Sequence, residues 1–226
     1  MNAPQARRYA RQLALPEVGP EGQDLLARAR VAIVGPEGSV AAETAARYLA
    51  AAGVGTLRLI GTKSSSGVDG DLRGSNPDVV IEREARPSEG RAWLAALEGV
   101  DLVVRVGFDD DALLRAAVRR GVPVVVARVE GGAADVVSFR RHGPCPHAPL
   151  DVPVQAASTD AAGAGDVVAG TLAASEALTA LLHLGGDARA RHLRVPLDGR
   201  DATAQEIPWT PECFACGGSG HEMSFT

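Results

Sequence analysis

Residues 31–60 read VAIVGPEGSVAAETAARYLAAAGVGTLRLI, and their order sets the architecture. A short apolar run is followed by a glycine-containing turn, GPEGSV, then an alanine-rich segment and a second apolar run. Short branched runs such as Leu57–Ile60 suit buried strands, and Glu43–Ala52 has the composition of a good helix former. Gly53 and Gly55 stop that helix. Strand, tight turn, helix, strand is the first half of an α/β unit whose turn and helix N-terminus commonly receive phosphates.

The flanking sequence extends the same alternation. Asp78–Glu84, Leu102–Val106 and Val122–Val129 predict three more strands, and the unbroken β-branched content of Leu102–Val106 suits a buried parallel one. Glu89–Leu97 and Asp109–Arg120 predict helices, the second with acids first and arginines last, matching the helix dipole. Upstream, Pro16–Gly22 forms a turn before a short helix over Gln23–Arg30. Thr62–Asn76, TKSSSGVDGDLRGSN, is dense in Ser, Gly and Asp without periodicity and predicts a loop. Downstream come an extended segment over Asp135–Arg140, a crossover over Arg141–Ala164 and a long helix over Asp166–Leu184. That helix is apolar on more than one face. His192–Leu197 and Ala202–Ile207 predict two weak strands. The sum is an α/β fold, a mainly parallel sheet with helices on both faces and antiparallel strands at the C-terminal end.

The chain has 226 residues, 46% of them hydrophobic and 23% charged. That suits one domain with ample core. It divides into an N-terminal docking segment (1–30), a nucleotide-binding-type half (31–140) and a C-terminal half (141–226). Net charge is −5 with no basic run, which gives nucleic-acid binding no support. Lys63 is the one lysine. The polar N-terminus lacks a signal-peptide core, and no apolar stretch approaches a membrane span, so a cytoplasmic location without membrane contact is expected. Cys145, Cys213 and Cys216 do not make a disulfide framework.

Several motifs in order carry a family resemblance. They are RRYARQLALPEVGPEGQDLLARARVAIVG (7–35), YLAAAGVGTLRLIG (48–61), DLVVRV (101–106), GVPVVVARVEG (121–131), RRHGPCPHAPL (140–150), ALTALLHLGG (177–186) and PECFACGG (211–218). Together they resemble the ThiF/MoeB family, adenylating enzymes related to ubiquitin-activating enzymes. The resemblance implies a Rossmann-like fold. It also implies a homodimer or pseudo-dimer that uses ATP and magnesium to adenylate the C-terminal Gly-Gly carboxylate of a ubiquitin-like or sulfur-carrier protein.

The chemical positions implied by that resemblance are altered. The family's GxGGLG turn is Gly35-Pro36-Glu37-Gly38-Ser39-Val40, with a carboxylate where an anion should sit and a proline that removes an N–H donor. The ribose-binding acid is replaced by Gly61. The cations that follow the second strand reduce to Lys63 and Arg73, expected in a loop, so the family's catalytic helix reads as deleted. The metal-supporting acid is replaced by Arg105-Val106-Gly107-Phe108, with Asp109 available only after a one-residue shift. ATP and magnesium are therefore not expected to bind.

Two features are retained. Arg8, Tyr9, Arg11 and Gln12 keep the RYxRQ motif, from which an arginine reaches a partner's site in trans in the family. Cys213 and Cys216 keep one CxxC pair, and Cys145 with His147 would complete a Cys₃His zinc set. His142 and His221 are fallback ligands. The expectation is a catalytically defective member acting as a homo- or heterodimer partner, or as a scaffold for a carrier protein or peptide. The alternative is an active adenylyltransferase with a rearranged site built on Asp109, Arg73 and Lys63. A dinucleotide-dependent reductase is disfavoured, because both GxGxxG and the ribose acid are missing.

Overall fold

A computed structural model describes residues 1–62, 68–107, 110–139, 162–184 and 190–207. Its centre is an eight-stranded sheet in the order β3-β2-β1-β4-β5-β6-β7-β8. The strands β1 (Arg30–Val34), β2 (Thr56–Ile60), β3 (Val80–Glu84), β4 (Leu102–Val106) and β5 (Val124–Glu130) are parallel. Then β6 (Ala133–Phe139), β7 (Ala190–Pro196) and β8 (Thr203–Glu206) add an antiparallel extension. The expected fold class is the observed one.

Alternation of side chains places a separate core on each face. One core joins β1, β2 and β4 to α3 (Gly19–Arg28), α4 (Val40–Ala52), α5 (Val68–Ser75) and α8 (Ala162–Leu181). The other joins the opposite face to α6 (Gly90–Ala96) and α7 (Asp111–Arg120), around the fully buried Trp93. The alanines of α4 do more than favour helix. A Cβ at Gly170 of α8 would stand 2.4 Å from the carbonyl oxygen of Ala41, so these two helices cross at backbone contact. Only small residues allow that approach.

Three expectations need correction. Thr62–Asn76 is not a loop throughout, since Val68–Ser75 forms α5. Gly70 and Gly74 conceal it from propensity. Burial of Val68 and Leu72 and ion pairs of Asp71 with Arg47 (2.7 Å) and Asp69 with Arg83 override them. The extended segment expected over Asp135–Arg140 starts earlier than expected, at Ala133, as the strand β6, which is buried through Phe139, while Arg140 lies outside the described residues. The turn expected over Pro16–Gly22 ends early, because α3 begins at Gly19, and the residues before it form α1 (Ala3–Arg8), capped by Asn2, and the short α2 (Ala10–Leu13).

Candidate functional site

In an open α/β sheet, ligands sit beyond the C-terminal ends of the strands where the strand order reverses. Here that point lies between β1 and β4. The first wall is the turn Gly35–Ser39. Gly35 is packed under α4, where an added Cβ would stand 3.1 Å from Ala42 Cβ. Gly38 has φ +71°, which closes the turn in the left-handed region. Ser39 is the N-cap of α4, and its Oγ accepts from the Ala42 N–H at 3.2 Å. The chain itself thus satisfies a donor that a helix N-terminus could offer an anion. Beneath the turn, between Glu43, Thr62, Val68 and Arg83, the enclosed space is about 10 Å³. That holds a single water.

The second wall is Gly61, at φ +73°. A side chain there is strained. An added Cβ would also stand 3.1 Å from the Gly35 carbonyl oxygen and 3.2 Å from Arg86 Cβ. Arg86 follows β3, and its Nη2 and Nε donate to Asp110 Oδ2 at 2.8 and 3.2 Å. Asp110 caps α7, its Oδ1 accepting from the Leu113 N–H at 2.9 Å. Pro36 packs on the end of β4, its Cδ 3.5 Å from where a Cβ on Gly107 would be. Arg105, beside Val34 in the ladder, is buried in β4. Past the Arg86–Asp110 pair, Pro87, Ser88, Trp93 and Asp111 complete an open cleft of about 510 Å³.

Among the expected site residues, Gly35, Gly38 and Gly61 come together at this crevice. Arg73 lies on α5 and is exposed, which corrects the expectation that it sits in a loop and that no helix follows β2. Arg8 and Arg11 lie at the other end of the strands. Tyr9 is buried against Gly53, and Arg8 stacks on its ring at 5.6 Å. Arg8 also donates to Asp78 at 3.2 Å. Hydrogen bonds from Gln5 and Arg8 hold the Asp78 carboxyl below its ordinary range. Arg11 is exposed and has no partner among the described residues. Lys63, Phe108, Asp109, Cys145, His147, Cys213, Cys216, His142 and His221 lie outside the described residues. Among those described, no group of three or more His, Cys, Asp or Glu side chains could hold a metal.

Sequence reasoning missed a charged cluster on the antiparallel extension. Asp135 of β6 is 1% exposed. It accepts from Arg194 Nη1 at 2.8 and 3.0 Å and lies 2.7 Å from His192 Nε2. Arg128, Asp135 and Arg194 form one cross-strand row, and Glu130 pairs with Arg128 at 3.1 Å. On the other face the buried Glu176 of α8 binds Arg191 of β7 through both carboxylate oxygens. That bond is the largest influence on Arg191, and it raises the affinity of the guanidinium for its proton. Charge alternation in ARHLRV is the only sequence trace of these contacts.

Comparison with known proteins gives this geometry a family. The chain is 32% identical over 256 aligned residues to the SAMP-activating enzyme E1 of Haloferax volcanii, spanning 97% of this chain and 92% of that protein. The chain belongs to the ThiF/MoeB family. A second member, the sulfur carrier protein adenylyltransferase of Thermus thermophilus, is 31% identical over 93% of this chain and 90% of its own length. Escherichia coli MccB, solved with MccA-N7isoAsn, superposes with a TM-score of 0.71 at 16% identity, over 94% of this chain and 74% of that one. That likeness shows a shared fold. No family model matches the chain. Among the described residues, no helix is long and apolar enough to cross a membrane.

Proposed function

We propose that this ThiF/MoeB-family chain does not adenylate a substrate by itself. It serves as the partner of a ThiF-like subunit, in a homo- or heterodimer, or as a scaffold for a ubiquitin-like or sulfur-carrier protein or a peptide. One observation carries this reading: the chain's own side chains complete the crevice. Ser39 caps α4, Pro36 covers Gly107 and Arg86 lies against Gly61. Mg·ATP needs free helix-terminal donors, a ribose acceptor and positioned cations. Among the described residues the Ala42 N–H is already taken by Ser39 and position 61 carries no ribose acceptor, which supports this reading. Arg11 lends further support, being exposed at the far end of the strands from its own crevice. A free guanidinium there suits a role in a second subunit's site, like an arginine finger in trans. Structural zinc on Cys145, His147, Cys213 and Cys216 belongs to the same proposal.

The test is ATP–pyrophosphate exchange with a Gly-Gly-ending carrier present. The purified chain is expected to give none. A pair formed with an active ThiF-like subunit is expected to give exchange that falls on Arg11→Ala. Exchange by the chain alone would establish the second reading, an active adenylyltransferase using Asp109, Arg73 and Lys63. That reading draws on the enzyme names of the two relatives with about one-third identity.

A further inference from the structure

The two ends of the Arg86–Asp110 pair belong to loops after β3 and β4. In the sheet these strands are separated by β2 and β1. At about 4.8 Å between neighbouring strands, the strand ends lie roughly 14 Å apart. A bridge between their loops must therefore cross the C-terminal ends of β2 and β1. That is the mouth of the crevice where a nucleoside would lie in a sheet of this order.

We infer that the Arg86–Asp110 pair is a built-in latch that closes the nucleoside end of this crevice. The inference rests on the proposed loss of nucleotide binding and deepens it by naming the group that excludes the ligand. Three observations carry it. The pair is doubly bonded at one end, through Nε and Nη2, and Asp110 is only 8% exposed. Asp110 is itself fixed by the α7 cap, so the anchor cannot swing. Gly61 is shaped to the latch, because a Cβ there would crowd both Arg86 Cβ and the Gly35 carbonyl. A side chain at position 61 and Arg86 in its present place compete for the same space, and one of them would have to give by a few tenths of an ångström.

Beside the latch lies an open cleft that Arg86 and Asp110 themselves help to line. The cleft of about 510 Å³ falls in the size range of small-molecule sites. Its wall includes Trp93, fully buried, whose indole N–H has no hydrogen-bond partner among the described residues.

Adenosine is the probe, because it lacks phosphates and so ignores the altered turn. Calorimetric titration of the full chain with adenosine is expected to show no saturation in the low millimolar range. Arg86→Ala is expected to bind adenosine at least tenfold more tightly. Asp110→Asn keeps an oxygen to cap α7 but removes the charge that holds Arg86, and a smaller gain is expected. This second variant carries the test if Arg86→Ala fails to fold. Equal affinity of the wild type and both variants would overturn the latch. Tighter binding by the wild type than by Arg86→Ala would also overturn it, by making Arg86 a ligand contact. Pyrophosphate exchange by the wild type together with a gain in Arg86→Ala would leave the latch standing and remove the proposed loss of activity. No exchange and no gain would do the reverse.

Discussion

In the parallel half, Val31, Ala32, Ile33 and Val34 of β1 are all wholly buried, and every one is apolar. In the antiparallel extension β6 is buried just as deeply, yet it carries Asp135 and Ser138, and α8 brings Glu176 to the strand beyond. The halves are therefore specified differently. Apolar packing on both faces of β1 is satisfied by many combinations of branched side chains. A buried carboxylate tolerates only a neighbour that carries its counter-charge at the right register. Moving β7 by one residue would send Arg194 to the other face and leave Asp135 buried without it.

This contrast can be broken by mutation. The largest effect is expected at Asp135→Ala, which strands Arg194 and His192. Urea unfolding should show a loss of about 2–3 kcal/mol, less than for a fully buried pair because the Arg194 side chain left behind is 35% exposed. The exposed Arg200–Asp198 pair gives the scale, since Arg200→Ala should leave the urea midpoint unchanged within error. Similar losses at both sites would erase the contrast.

A smaller and more diagnostic effect concerns Glu176 and Arg191. Either single change to Leu is expected to destabilise clearly. The double change should recover to within about 1 kcal/mol of wild type, because an apolar pair removes the desolvation cost of both charges. Additive losses in a double-mutant cycle would mean that the pair does more than satisfy itself.

The smallest effect belongs to the edge of the parallel half. The hydrogen bond from Arg83 is the main influence on Asp69, and it holds the carboxyl below its ordinary value against the opposing effect of burial. A depressed folded-state value means the contribution is complete above the unfolded value of about 3.9 and is lost as pH falls through the folded value. The melting temperature of Arg83→Ala should lie below that of wild type near neutrality. The gap should close as the pH is taken down through the depressed folded-state value, below the ordinary carboxylate range. A gap that persists there would assign the effect to packing of the Arg83 stem.

Much of the crevice was legible in the chain, because its parts are consecutive. Gly35 to Ser39 is one turn, and Gly61 is a single letter at a strand end. The α5 helix was not legible, since GVDGDLRGS has poor intrinsic propensity and becomes helical by burying Val68 and Leu72. Nor was Arg86, whose neighbours in sequence, Ala85 and Pro87, give no hint of a partner 24 residues away.

By itself the sequence displayed the order of the strands and of the longer helices α4, α7 and α8, and the apolar identity of Val31–Val34, Leu102–Val104 and Val124–Ala127. Those properties repeat at local spacings of two to four residues, which a linear chain displays openly. Only the tertiary structure decided which charges meet. Asp135 finds Arg194 across a gap of 59 residues because β6 and β7 pair in one register. Arg86 crosses the crevice because β2 and β1 lie between the strands that carry its loop and that of Asp110. Strand order and register are set by the packing of the whole sheet, and no local pattern encodes them.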